Sequence, residues 1–169
     1  MTTHPVFQSQ AYKDLGEFYI YTGEYLRAAQ QFEEILNIYS FDVSALRSLV
    51  FIYSELEDWD RVILYSKALD HEKKMTPEEY YYFSRAEYEL GNYSDALKII
   101  KKLENQKRVD IKALNLWKDL LVLENPNKDL SFLAKYLEKK SDSPLEEKVF
   151  WEVISNHGKE QRKSIFLGM

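Results

Sequence analysis

Residues 76–103 read TPEEYYYFSRAEYELGNYSDALKIIKKL, and their punctuation describes two helices folded back on each other. Thr76 can cap the first helix, Pro77 suits the first helical position, and Glu79 can close a capping box by reaching back to the cap backbone. Gly91 can end that helix, because glycine takes the left-handed conformation at little cost. Asn92 can then cap the second.

The same unit recurs. Stepping back 34 residues from Leu90-Gly91-Asn92-Tyr93 lands on Leu56-Glu57-Asp58-Trp59, and a second step lands on Thr22-Gly23-Glu24-Tyr25. The columns agree along the unit: Tyr12, Leu46 and Tyr80; Leu15, Leu49 and Phe83; Tyr25, Trp59 and Tyr93; Ala28, Val62 and Ala96; Ile35, Leu69 and Leu103. One step forward gives Leu114, Trp117, Asn127, Leu130 and Leu137.

A helix–turn–helix unit at this period resembles the tetratricopeptide repeat family, most closely in the first and third repeats and most loosely in the fourth. The resemblance implies an all-α, right-handed solenoid of antiparallel helix pairs, with about four repeats and a C-terminal capping helix. The organisation expected is a lead-in at 1–8, repeats at 9–42, 43–76, 77–110 and 111–140, a capping helix at 141–158 and a tail at 159–169.

Along the chain, Pro5 is expected to block an early helix, so the first helix should run over 9–21. Gly16 lies in its middle, where glycine costs about 1 kcal/mol relative to alanine. The repeat pattern predicts that Gly16 faces Ala28 so that the paired helices approach closely; the alternative is a glycine with no role. Repeat two places Val50 and Val62 at those positions and Ser66 where repeat one has Phe32. Further helices are expected over 25–38, from Asp42 to about 56, over 59–71, over 109–124 and from Leu130 onward. Ser143-Pro144-Leu145-Glu146 signals the start of the last helix, with Phe150, Trp151 and Ile154 on it and Gly158 at its end.

Of 169 residues, 45% are hydrophobic and 15% aromatic, ample for the gaps between stacked helices. The formal charge of −5 and a pI near 5.3 argue against a nucleic-acid backbone as the main partner. The absence of cysteine removes disulfides, thiolate metal sites and a cysteine nucleophile, and fits a cytoplasmic protein. No signal peptide and no apolar run long enough for a membrane span are visible.

Chemistry-bearing constellations are missing too. There is no phosphate-cradling glycine loop, no G-x-S-x-G and no H-E-x-x-H. His4, His71 and His157 read as solvated surface residues rather than metal ligands. Glu33-Glu34, Glu78-Glu79 and Glu146-Glu147 are adjacent on helices, so each pair diverges by about 100° and cannot converge as an acid/base couple. Neither an enzyme nor a cofactor is expected.

In the family resembled, the first helix of each repeat lines a concave groove that binds peptides or helices. Carried over by repeat position, that groove would present Lys13, Glu17 and Tyr21, then Arg47, Ser48 and Phe51, then Tyr81, Tyr82, Arg85 and Tyr88, then Asn115, Asp119 and Val122. A chaperone-tail carboxylate clamp does not fit, because Glu17 stands where an asparagine is needed and Glu78 and Tyr82 where basic residues are needed. Tyr81 and Tyr82 are open to two readings, groove contacts or packing between repeats. The expected function is a protein-binding module, serving as adaptor, co-chaperone or assembly subunit. Alternatives are a secretion-type chaperone for an exported substrate and, less favoured, a helical-repeat nucleic-acid binder. Ile165-Phe166-Leu167 could be a loose end or a self-association contact.

Overall fold

The computed structural model describes residues 4–106, 109–133 and 152. Every described element is helical, and the chain divides into two compact units, Met1–Gly91 and Asn92–Met169.

The first unit holds α1 (Pro5–Tyr21), α2 (Tyr25–Ile38), α3 (Val43–Glu55), α4 (Trp59–His71) and α5 (Pro77–Glu89). α1 pairs with α2 and α3 with α4, while α2 packs on α3 and α4 on α5. The start of α1 corrects the expected lead-in: Pro5 opens the helix rather than blocking it. At the first helical position proline's missing N–H would have had no intrahelical partner, and its fixed φ is already helical. His4 is the cap, its Nδ1 accepting from Val6 N–H at 3.4 Å. Asp42 caps α3 by accepting from Ala45 N–H at 2.8 Å, and Asp58 caps α4 from Arg61 N–H at 3.3 Å. The capping box of Thr76 and Glu79 forms as expected.

The turns inside the repeats share one backbone device. Gly23, Glu57 and Gly91, equivalent by the repeat shift, have φ of 76°, 55° and 80°. Glycine supplies that conformation freely in repeats one and three. In repeat two a glutamate is held there at a cost.

The core of this unit centres on Phe32, Leu49, Ile52, Tyr53 and Leu69, all fully buried. Gly16 is buried within it, and the nearest atoms to a side chain placed there belong to Phe32. A Cβ at Gly16 would lie 2.7 Å from Phe32 Cε2 and 3.0 Å from Cζ. The glycine therefore makes room for an aromatic ring. In repeat two the equivalent positions hold Val50 and Ser66, both fully buried, so bulk sits on the first helix and the small residue on the second.

A polar cluster ties α2, α3 and α4 together. Glu33 Oε1 accepts from the Tyr53 hydroxyl at 2.7 Å and the Tyr65 hydroxyl at 3.0 Å. The two rings stack at 5.8 Å. Arg61 donates to the Tyr53 oxygen at 2.6 Å, and its guanidinium lies 4.8 Å from the ring centre.

The second unit holds α6 (Tyr93–Ile100), a 3-10 turn (Lys101–Asn105), α7 (Ile111–Glu124) and a second 3-10 turn (Ser131–Leu133), with α6 packed on α7. The first 3-10 turn keeps Leu103 fully buried, as Leu69 is in its own repeat. Trp117 is fully buried, with Phe132 edge-on at 5.9 Å between ring centres. Asp110 caps α7, accepting from Lys112 N–H at 2.7 Å, so that helix begins two residues later than expected. Asn125 shapes the following turn by accepting from Asn127 N–H at 3.0 Å. The expected capping helix apart from Glu152, with its Phe150, Trp151 and Ile154, and the tail Ile165-Phe166-Leu167 lie outside the described residues.

Candidate functional site

The first helices of the hairpins in the first unit carry most of the residues singled out for binding. The capping box fixes where α5 begins and so sets the phase of its tyrosines. Phe51 on α3 meets Tyr82 on α5 edge-on, ring centres 6.4 Å apart. Tyr81 lies 5.4 Å from Tyr82, and Tyr25 meets Phe51 from the other side at 6.2 Å. The result is a run of four rings, Tyr25–Phe51–Tyr82–Tyr81, each half-buried. Such rings offer large contact area with few rotatable bonds.

Tyr82 donates from its hydroxyl to Glu78 Oε1 at 3.3 Å. Burial raises its pKa well above the ordinary value near 10, helped first by the Glu78 charge and then by Glu55 and Tyr81. The surroundings of this ring are thus acidic.

The two arginines expected beside the aromatics are already engaged. Arg47 Nε lies 3.2 Å from Glu79 Oε1, and its NH2 group donates to the Lys74 carbonyl at 2.8 Å. Glu79 is itself buried, with its other oxygen held by the capping box, so Arg47 staples α3 to the start of α5. Arg85 pairs with Glu89 at 3.6 Å and lies 5.1 Å over the Trp59 ring.

Elsewhere, Lys13 and Glu17 form a weak ion pair at 3.9 Å along α1, and Tyr21 is 90% exposed at its end. Ser48 and Tyr88 are half-buried. Asn115, Asp119 and Val122 lie on α7 of the second unit, Asp119 exposed and paired with Lys118 at 3.1 Å. Phe51, Tyr81 and Tyr82 are brought together; Arg47 and Arg85 are directed to carboxylates of the chain itself. Sequence reasoning missed Tyr25, Glu78 and Glu55 as neighbours of the aromatics. The spacing of Tyr82 four residues after Glu78 was the available signal.

Among the described residues, no group of three or more His, Asp or Glu could hold a metal ion, and no helix is long and apolar enough to cross a membrane. His71 pairs with Glu72 at 2.9 Å on the surface.

Comparison with protein-family models and with curated proteins gives no match. Comparison with solved structures does: MamA of AMB-1, a helical repeat protein of the tetratricopeptide type, matches at a TM-score of 0.65 and 17% identity, over 83% of this chain and 78% of that one. At that identity the likeness shows the fold, and the chain has the all-α, helix-pair solenoid fold of that protein.

Proposed function

We propose that this chain is a non-catalytic protein-interaction module that holds a peptide or helix of a partner against the first helices of its hairpins, as an adaptor, co-chaperone or assembly subunit. The observation that carries this reading is the half-buried run Tyr25–Phe51–Tyr82–Tyr81 across three helices. Large aromatic side chains placed this way are typical anchors of protein interfaces. With Arg47 and Arg85 already facing carboxylates, and Glu55 and Glu78 beside Tyr82, the partner segment suited to this surface carries apolar anchors and a basic group.

Selection of peptides from a random display library on the immobilised chain tests this. Enriched sequences should combine aromatic or aliphatic anchors with Lys or Arg, and the enrichment should collapse on Tyr82→Ala. No enrichment, or one indifferent to Tyr82→Ala, overturns the reading.

A further inference from the structure

The clearest feature not absorbed above is on α1. Leu15 is 41% and Phe18 55% exposed, and Ala11 beside them is exposed too. Their equivalents 34 residues on, Ala45, Leu49 and Ile52 of α3, are all at 0%. On α5 the next equivalents, Phe83 and Ala86, are at 5% and 0%. The register is the same in each case; what differs is the preceding hairpin. α3 is covered by α2 and α5 by α4, whereas no described helix precedes α1. A repeat face left to water is expected to be polar. This one shows Leu15, Phe18 and, two turns before Leu15, Phe7 at 75% exposure.

The polar chemistry of that face repeats as well. Arg61 pairs with Asp58 at 3.5 Å and lies over Tyr53 at 4.8 Å; Arg27 pairs with Glu24 at 2.7 Å and lies over Tyr19 at 5.7 Å. Gln31, a donor through its amide, stands where Tyr65 stands in repeat two. In repeat two Tyr53 and Tyr65 donate to the Glu33 carboxylate of the covering helix α2, and Arg61 donates to the Tyr53 oxygen beside it. In repeat one the corresponding set is Tyr19, Gln31 and Arg27.

We propose that the outer face of α1 is a second docking surface, distinct from the aromatic run, and that it binds an amphipathic helix of a partner protein. That helix continues the repeating interface by lying on α1 as α2 lies on α3. Its small and apolar residues, three and four positions apart, cover Ala11, Leu15 and Phe18. Its carboxylate, placed as Glu33 is on α2, accepts from Tyr19 and Gln31 beside the Arg27 guanidinium. Among the described helices, α2, α4 and α6 are each already packed on the helix that follows, so none of them is free to cover this face in a second copy.

A helix-stabilised, fluorescently labelled peptide of residues 25–38 is a direct probe, since α2 already covers the equivalent face of α3. Anisotropy titration of the full chain should show saturable binding. Phe18→Glu, at an exposed position, should weaken it by about tenfold or more while leaving the melting temperature unchanged. Glu33→Gln in the peptide should weaken binding to the wild-type chain but add little on Tyr19→Phe, where the hydroxyl donor is gone. Equal binding to wild type and Phe18→Glu, or no saturable binding, overturns the proposal. So does a wild-type chain that light scattering shows to be a dimer and Phe18→Glu a monomer, because a second copy would then own the face. None of these outcomes touches the binding role of Tyr82.

Discussion

The Phe32 ring fills the space that a side chain at Gly16 would need, its Cε2 lying 2.7 Å from where a Cβ would be. Phe32 is fully buried, so the ring cannot swing aside without disturbing the core. Gly16→Ala should therefore destabilise the fold, although alanine is the better helix former by about 1 kcal/mol. The expected loss is about 1–3 kcal/mol, the usual scale of overpacking, read from urea denaturation. A variant as stable as wild type would mean that the ring moves freely.

At the position equivalent to Phe32, Ser66 is fully buried and its hydroxyl has no hydrogen-bond partner. Burying an unsatisfied hydroxyl carries its desolvation cost, on the order of 1–3 kcal/mol. Ser66→Ala should raise the denaturation midpoint with an unchanged slope. A lowered midpoint would mean that the hydroxyl is satisfied by bound water.

Glu57 holds φ at 55°, a left-handed conformation that its equivalents reach as glycine. Relief of roughly 1–2 kcal/mol of backbone strain is opposed by the greater freedom of glycine in the unfolded chain, about 0.4–1 kcal/mol. Glu57→Gly should thus stabilise by up to about 1 kcal/mol, and thermal unfolding checks it. The same substitution at Asp60, in the first turn of α4, should do the opposite.

Tyr53 is pushed up to about 12 from its ordinary value near 10, by burial first and then by its bond to the Glu33 carboxylate. Tyr65 and Tyr82 are raised in the same direction, again by burial first. A pKa raised in the folded state means that the fold binds the proton more tightly than the unfolded chain does. The stability involved is complete below pH 10 and is lost as the pH climbs from 10 towards 12. Ultraviolet titration at pH 10, where a model-peptide tyrosine is half ionised, should show these three phenols still protonated, and Tyr53→Phe should flatten the alkaline loss of stability. Ionisation of Tyr53, Tyr65 and Tyr82 near pH 10 in the folded chain would contradict this.

What the sequence made legible was local or periodic. The capping box at Thr76 and Glu79, the left-handed glycines Gly23 and Gly91, and the recurring apolar columns each declare themselves within one repeat. Glu57 was harder, because tertiary structure forces a conformation that its own propensity disfavours. Phe32 as the nearest neighbour of Gly16 was not foreseen, because spacing gives the facing helix but not which side chain fills the gap. Arg47 and Arg85 look like free binding groups in one dimension. Their engagement with Glu79 and Trp59 depends on how α3 and α4 meet α5, which periodicity does not encode. Of the candidate site, Phe51, Tyr81 and Tyr82 were singled out by repeat position, and the acidic surroundings of Tyr82 were not.

The central claim is that the aromatic run on α3 and α5 holds a protein partner. The measurement that tests it most directly is affinity capture from extract of the cell that makes this chain, quantified by mass spectrometry for wild type, Tyr81→Ala, Tyr82→Ala and a control, Lys67→Ala, on exposed α4 surface. One set of proteins should be retained by wild type and Lys67→Ala and depleted from both tyrosine variants. Each tyrosine should contribute roughly 1–3 kcal/mol when the strongest partner is titrated, with melting temperatures nearly unchanged. Retention of the same proteins at the same affinity by both tyrosine variants would contradict the claim and place the partner elsewhere on the surface.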